Sequence, residues 1–179
     1  MRKAGKLFEP QLAYFEIPFE GGVLPGFFRA APGKGPHKTL LMIGGGETFA
    51  EDLVYYIAPQ AFARGYNFAT VDLPGQGLLP FQGKVFRTDT YVPLKAVVDS
   101  LVGRPEVDAR YLAVYGFSGG GLFAPQAAMG KPSTDKPLFV DRYVPGFFTD
   151  DLVAKMMTAI AGSLAKNTGL DKRWIKTNP

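Results

Sequence analysis

The hydrophobic positions near the start of the chain fall into two short runs separated by a glycine-rich turn. Residues 14–19 and 23–29 flank Glu20-Gly21-Gly22, a pattern that predicts a β-hairpin. Each run contains a proline, Pro18 and Pro25. Because an edge strand tolerates a missing N–H, the prolines favour edge positions for both strands. We therefore expect an antiparallel hairpin at one edge of a sheet.

Between residues 39 and 129 the chain alternates apolar runs with stretches of helical period. These patterns predict buried strands at 39–43, 67–72 and 111–115, and helices at 51–64, 91–102 and 119–129. Pro59 is expected to kink or split the first helix, and Gly65 suits its C-terminal end. The alternation predicts an α/β fold of three layers, with helices on both faces of a mostly parallel sheet of four to six strands.

The pattern weakens after Gly130. Residues 138–140 suggest a short strand, and residues 149–165 suggest a helix with one apolar stripe, which is more typical of a core than of a binding face. The length of 179 residues and the apolar content of 46% suit a single buried core. We therefore expect one domain over 1–179, with its clearest pattern in 39–129 and a tail at 130–179.

Composition excludes several classes of protein and site. The chain has no Cys, which excludes disulfides, thiolate metal sites and Cys nucleophiles. Its net charge of +4 is scattered without a dense basic run, so we expect no nucleic-acid partner. No apolar run reaches the roughly 18–20 residues that span a bilayer, and the basic start leads into no apolar stretch. We predict a cytoplasmic protein with no membrane, cofactor or metal site.

The clearest chemical motif is Gly116-Phe117-Ser118-Gly119-Gly120-Gly121, which lies between a predicted strand and a predicted helix. This is the G-x-S-x-G pattern of a nucleophile elbow in the context that such an elbow requires. Small residues on both sides of the serine let strand and helix approach each other. The N–H groups that begin the helix face a developing oxyanion. The alternative is a glycine-rich turn in which Ser118 has no chemical role.

A second motif, Gly44-Gly45-Gly46-Glu47-Thr48, follows the first predicted buried strand. Ligands of open parallel sheets bind beyond the carboxyl ends of the strands, where Ser118 is also expected. One N–H of these glycines, together with that of Gly119, would complete an oxyanion hole. The alternatives are a phosphate-binding loop or a plain turn. Glu47 has two open interpretations. It orients the substrate or influences a proton transfer, or it caps the next helix together with Thr48.

A third segment, Asp72-Leu73-Pro74-Gly75-Gln76-Gly77, ends the second buried strand in a Pro-Gly turn. Here the structural interpretation is favoured over a catalytic one. The order of the three segments resembles the α/β-hydrolase superfamily. The residues of these segments are similar to those of the dipeptidyl-peptidase-like and FrsA-like branch of this superfamily. That branch contains esterases and carbon–carbon hydrolases, and it includes 2,6-dihydroxypseudooxynicotine hydrolase and fungal polyketide-shortening hydrolases.

The resemblance covers residues 14–129 and implies Ser118 as nucleophile, an oxyanion hole from Gly46 and Gly119, and Glu47 as a group that assists catalysis. Such enzymes also place an acid and then a His after later strands. No His follows Met129 in this chain, so we expect the C-terminal part of the triad to be missing.

The one His of the chain, His37, precedes the first buried strand. A five-residue strand rises about 3.3 Å per residue, so we expect His37 about 15 Å or more from Ser118. Asp141, just after residues 138–140, is the only acid placed like the orienting acid of a triad, and a role outside catalysis is favoured for it.

Two functions follow from the same predicted fold. The first is a serine hydrolase of esterase or carbon–carbon hydrolase type, acting on a small-molecule ester or ketone-type substrate through an acyl-enzyme on Ser118. Its activity is expected to be low, because serine without a general base is a poor nucleophile. The second is a non-catalytic module that binds a small acyl or aromatic ligand or a partner chain. A partner protein could also supply the His, and an unpaired sheet edge favours self-association.

Overall fold

The structure is a computed structural model that describes residues 1–129. The strands are β1 (Leu12–Phe19), β2 (Gly22–Arg29), β3 (His37–Ile43), β4 (Asn67–Val71) and β5 (Val107–Gly116). The α-helices are α1 (Ala50–Tyr56), α2 (Ala58–Ala63), α3 (Tyr91–Val102) and α4 (Gly120–Met129), and short 3₁₀ helices cover Ala4–Leu7 and Leu79–Gln82. The strand and helix expected at 138–140 and 149–165, and Asp141, lie outside the described residues.

The five strands form one sheet in the order β1-β2-β4-β3-β5. β3 is parallel to β4 and to β5, whereas β2 is antiparallel to both β1 and β4. Four of these strands therefore run in one direction and β2 runs in the other. The expected mostly parallel sheet with an N-terminal hairpin at one edge is confirmed.

The position of β2 differs from the sequence prediction. β2 pairs with strands on both sides, so the prediction that Pro25 marks an edge strand was wrong. The ladder between β2 and β4 begins at the pair Gly26–Val71, one residue beyond the proline. Pro25 still bonds to the chain just after β4, because its carbonyl oxygen accepts a hydrogen bond from the N–H of Asp72 (2.9 Å). An interior strand tolerates proline here because no ladder bond to β4 needs its missing N–H.

Pro59 divides the first helical stretch as expected. α1 ends at Tyr56 and α2 starts at Ala58, with Pro59 in the first turn, where a missing N–H has no partner to lose. Gly65 follows the end of α2 with a φ of +73°, a left-handed conformation that glycine adopts without steric cost. The sequence thus marks both the break and the end of this helix pair.

Two apolar layers cover the two faces of the sheet. Successive residues of a strand point to opposite faces, and on β3 Leu41 packs into one layer while Met42 packs into the other. The first layer contains Leu94 and Val98 of α3, and the second contains Leu53 of α1. The helices therefore lie on both faces, which confirms the three-layer arrangement.

Asn67 ties together three segments at the start of the parallel strands. Its side chain is completely buried, and its Oδ1 accepts a hydrogen bond from the N–H of Ala31 (2.8 Å). Its Nδ2 donates to Oγ1 of Thr39 (2.9 Å) and to the carbonyl oxygen of Glu106 (2.7 Å). Because these groups are buried, each bond replaces one that water would otherwise make.

Asp72 makes a corresponding tether at the carboxyl end of the strands. Its side chain is 6% exposed, and its Oδ1 accepts a hydrogen bond from the N–H of Ala50 at the start of α1 (2.8 Å). Burial raises the pKa of Asp72 to about 7, an effect that Glu51 and Asp52 add to and the bond from Ala50 opposes. The carboxyl therefore binds a proton more readily in the folded chain than in the unfolded one.

We expect Asn67→Ala to lower the free energy of unfolding by about 2–4 kcal/mol, because it leaves several buried backbone groups without partners. Urea unfolding measures this change. Gln60→Ala on the exposed face of α2 is the control and should change stability little. An Asn67→Ala variant as stable as this control would contradict the structural role of the side chain.

The pKa of Asp72 gives folding a pH dependence. An unfolded Asp has a pKa of about 3.9, so between that value and about 7 the folded chain binds more protons and loses stability as the pH rises. Asp72→Asn should remove this loss. From pH 5 to pH 8 the free energy of unfolding of the variant should rise relative to that of wild type by on the order of 2 kcal/mol.

Urea midpoints at the two pH values measure the effect of Asp72→Asn. The control is Asp52→Asn, which removes an exposed carboxylate from the same helix start and should keep most of the wild-type pH dependence. If the stability of wild type and that of Asp72→Asn change with pH in the same way, Asp72 is not the source of the pH dependence.

Candidate functional site

Ser118 occupies a sharp turn between β5 and α4, which we call the elbow (residues 116–120). The φ angle of Ser118 is +53°, a left-handed conformation that is uncommon for a residue with a side chain. Its side chain is exposed. A strained, exposed serine between strand and helix is the arrangement of a nucleophile elbow.

The glycines of the elbow are required by backbone packing. A Cβ atom added to Gly116 would overlap the carbonyl oxygen of Gly120, and one added to Gly120 would overlap the carbonyl oxygen of Ile43. The N–H of Phe117 donates a hydrogen bond to that same Ile43 oxygen (3.1 Å). The elbow is therefore in direct contact with the last residue of β3, and a larger residue at either glycine would separate them.

The segment that follows β3, which we call the glycine loop (Gly44, Gly45 and Gly46), lies against the elbow. A Cβ atom added to Gly45 would be 2.9 Å from Cβ of Ser118 and 3.1 Å from its Oγ. A Cβ atom added to Gly119 would be 3.4 Å from the backbone nitrogen of Gly46. The fold thus brings together Ser118 and the two residues, Gly46 and Gly119, whose N–H groups are the expected oxyanion donors.

Glu47 follows the glycine loop and is exposed. The alternative in which it caps α1 together with Thr48 is wrong. Oγ1 of Thr48 donates a hydrogen bond back to the carbonyl oxygen of Gly45 (3.2 Å). The first residue before α1 is Phe49, whose N–H donates to Oδ2 of Asp52 (3.1 Å). Glu47 is therefore an exposed residue directly after Gly46, outside the cap of α1.

Gln76 is a polar residue of this region to which the sequence analysis gave no role. Its side chain is 2% exposed, and its Nε2 donates hydrogen bonds to the carbonyl oxygens of Gly44 (2.8 Å) and Gly45 (2.7 Å). Its Oε1 accepts a hydrogen bond from the N–H of Leu73 (2.8 Å). The sequence signal that could have identified Gln76 is its position in the turn after β4, because this turn and the glycine loop both follow the carboxyl ends of parallel strands.

His37 lies at the other end of the sheet. It is the first residue of β3 and pairs with Val107 at the start of β5, whereas Ser118 lies two residues beyond the last residue of that strand. The parallel strands separate the two side chains by their whole length. Within residues 1–129, no imidazole is therefore close to the elbow.

Aromatic rings border the elbow. The rings of Tyr56 and Phe117 have their centroids 5.6 Å apart, and both side chains are substantially exposed. Phe49, the residue before α1, is 40% exposed. The surface beside Ser118 thus offers flat apolar faces to a ligand.

The described residues hold no group of three or more His, Asp or Glu side chains arranged to bind a metal ion. None of the helices in residues 1–129 has the length and apolar character needed to cross a bilayer.

Comparison with known proteins supports the resemblance seen in the three loops. The family described as Esterase FrsA-like matches residues 2–135. The chain is 31% identical to 20-hydroxy-prefusarin hydrolase FUS2 of Gibberella moniliformis over an alignment of 206 residues, covering 97% of this chain and 48% of that protein. It is 32% identical to the 2,6-dihydropseudooxynicotine hydrolase of Paenarthrobacter nicotinovorans, covering 73% of this chain and 35% of that protein. The chain thus spans less than half the length of these relatives.

Solved structures give the same result. The crystal structure of 2,6-dihydroxy-pseudo-oxynicotine hydrolase superposes with a TM-score of 0.77 at 28% identity, covering 95% of this chain and 47% of that one. The acylaminoacyl peptidase of Pyrococcus horikoshii has a TM-score of 0.56 at 17% identity, covering 75% of this chain and 24% of that one, and shares the fold. Sequence, fold and loop order agree, and the chain belongs to the FrsA-like esterase family of α/β hydrolases.

Proposed function

We propose that this chain is a serine hydrolase that cleaves a small-molecule ester, or a carbon–carbon bond beside a ketone, through an acyl-enzyme on Ser118. The observation that carries the proposal is the conformation of Ser118, with a φ of +53° and the glycine loop directly against it. Membership of the FrsA-like family supports hydrolysis as the reaction class.

In the proposed reaction, Oγ of Ser118 attacks the substrate carbonyl carbon and the carbonyl oxygen becomes an oxyanion. The N–H groups of Gly46 and Gly119 stabilise that charge, as preorganised backbone donors do in acyl transfer. The bond to the alcohol or carbon leaving group then breaks, and the leaving group takes up the proton that the Ser118 hydroxyl lost on attack. Water hydrolyses the acyl-serine, which releases the acid and restores the Ser118 hydroxyl.

Glu47 is the proposed source or carrier of a proton at this site. It directly follows Gly46, so its carboxyl group is on the loop that would hold the oxyanion. A carbon leaving group needs a proton more than an alkoxide does, because a carbanion is the stronger base. Glu47 would therefore matter most for substrates whose carbon–carbon bond is cleaved.

The bordering aromatic rings favour a substrate with a flat apolar part. Phe117 belongs to the elbow and Tyr56 packs against its ring, and aromatic side chains bind such groups by burial and ring stacking. The names of the relatives also point to small organic molecules: 20-hydroxy-prefusarin for one and 2,6-dihydropseudooxynicotine for the other. For this chain we propose a small ester or ketone that carries an aromatic or conjugated group.

The position of His37 sets the expected rate. Serine at neutral pH is a weak nucleophile unless a base takes its proton, and the described residues hold no imidazole near Ser118. Removing a triad member leaves roughly 10³–10⁴-fold catalysis over water, from binding and the oxyanion hole. We therefore expect slow turnover for this chain by itself.

The same observation favours a second candidate function. A chain with the glycine loop and the elbow, and with no imidazole of residues 1–129 beside Ser118, would bind a small acyl or aromatic ligand without converting it. The two functions differ in whether Ser118 reacts covalently, so a reactive probe separates them.

We expect a fluorophosphonate probe to label Ser118 slowly, and p-nitrophenyl acetate to be hydrolysed at a low rate. Ser118→Ala should abolish both, because the substitution removes the attacking oxygen. Gel fluorescence and intact-protein mass measure the labelling. Ser100→Ala, at an exposed position of α3, is the matched control and should react like wild type. Labelling that survives Ser118→Ala would remove Ser118 from the mechanism, and absence of labelling in wild type would favour the binding function.

We expect Gly45→Ala to slow labelling of Ser118 by roughly 10- to 100-fold, because small displacements of reacting groups have effects of that size. The added methyl group would be 2.9 Å from Cβ of Ser118, so either the loop or the serine must move. Gly103→Ala is the control, since its Cβ would have its nearest neighbour at 3.5 Å. Equal labelling rates in the two variants would contradict a site formed by the glycine loop.

A further inference from the structure

Gln76 makes three hydrogen bonds that link the turn after β4 to the glycine loop. Its Nε2 donates one hydrogen to the carbonyl oxygen of Gly44 and the other to that of Gly45, at 2.8 and 2.7 Å. Its Oε1 accepts from the N–H of Leu73, which fixes the side chain in turn. Because the amide is buried, losing these bonds would leave polar groups without water to replace them.

The bonds from Gln76 also determine where the N–H groups of the loop point. In a trans peptide the C=O and the N–H of the next residue lie in one plane and point in opposite directions. Holding the Gly45 carbonyl toward Gln76 therefore directs the Gly46 N–H away from Gln76. That nitrogen is on the side of the elbow, since a Cβ atom on Gly119 would be 3.4 Å from it.

Two further bonds restrain this part of the chain, one at the glycine loop and one at the start of α1. Oγ1 of Thr48 donates to the Gly45 carbonyl oxygen (3.2 Å), so this oxygen has two donors. Oδ1 of Asp72, at the other end of the turn from Gln76, accepts from the N–H of Ala50 (2.8 Å). The turn at residues 72–77, which we call the anchor turn, thus binds the carbonyl groups of Gly44 and Gly45 and also the first residue of α1, Ala50.

We propose that Gln76 is a positioning residue of the oxyanion hole: its amide fixes the Gly45–Gly46 peptide so that the Gly46 N–H faces the substrate oxygen above Ser118. This inference rests on the proposed function for its effect on rate. The orientation of the peptide itself does not depend on any activity. Glycine has no side chain to restrain its own backbone, so an outside group must supply the restraint.

The first variant is Gln76→Met, which keeps similar length and loses both donors. The labelling rate of Ser118 at saturating fluorophosphonate should fall roughly 10- to 100-fold, with little change in the probe concentration that gives half the maximal rate. A loss confined to the rate step is expected, because Gln76 orients the Gly46 N–H that stabilises the oxyanion and does not contact the probe. Gln60→Met, at an exposed position of α2, is the matched control and should label like wild type.

The second variant is Gln76→Glu, which keeps the acceptor for Leu73. When protonated, its carboxyl can still donate to one loop carbonyl, whereas the ionised form donates to none and repels both oxygens. The ratio of its labelling rate to that of wild type should therefore be highest near pH 5 and fall as the pH rises. A residue with a purely structural role would not give a pH-dependent ratio in a protein that remains folded, as circular dichroism would verify.

A crystal structure of Gln76→Met tests the geometry directly. We expect the Gly45–Gly46 peptide to rotate so that its N–H no longer faces the elbow. An unrotated peptide, or a Gln76→Met variant that labels as fast as Gln60→Met, would overturn the proposal. If wild type itself does not label, the proposed function fails, and the orientation of this peptide in the variant still decides whether Gln76 positions it. If Gln76→Met does not fold, Gln76→Glu at pH 5 and pH 8 gives the same comparison.

Discussion

The close approach of the elbow to the end of β3 is the contact on which the rest of the site depends. The Gly116 and Gly120 backbones pack without side chains between them, and Gly120 touches the carbonyl of Ile43. This packing brings the chain after β3 and the chain after β5 to the same place. Ser118 and the glycine loop are neighbours because their strands are neighbours in a parallel sheet.

The anchor turn adds a third strand end to this arrangement. β4 lies beside β3 on the side opposite β5, so its following turn reaches the glycine loop from the other direction. Gln76 holds the loop carbonyls and Asp72 holds the start of α1, both with buried side chains. Three consecutive glycines would otherwise be free to adopt many conformations. The glycine loop beside Ser118 is thus held from the side of β4 by the buried amide of Gln76.

Much of the fold could be predicted from sequence because the relevant signals are local. The bounds of α3, the break at Pro59 and the end at Gly65 follow from helical period and from the backbone limits of proline and glycine. The start of β5 was less visible, since it begins at Val107, four residues earlier than predicted, in a stretch that contains Asp108 and Arg110. β2 was expected at an edge and lies inside the sheet, because strand order depends on pairing between distant segments.

The sequence by itself determined the chemical groups available to this protein: a serine in an elbow motif, a run of three glycines and one histidine, His37. His37 precedes the predicted strand at 39–43, and the three glycines follow that strand. Motif order was enough to indicate the family, because elbow and loop spacings follow from backbone packing. Only the tertiary structure decided that Gln76 and Asp72 hold the glycine loop and α1. Their partners are more than twenty residues away along the chain, and a hydrogen bond between such segments exists only once the sheet has brought the strand ends together.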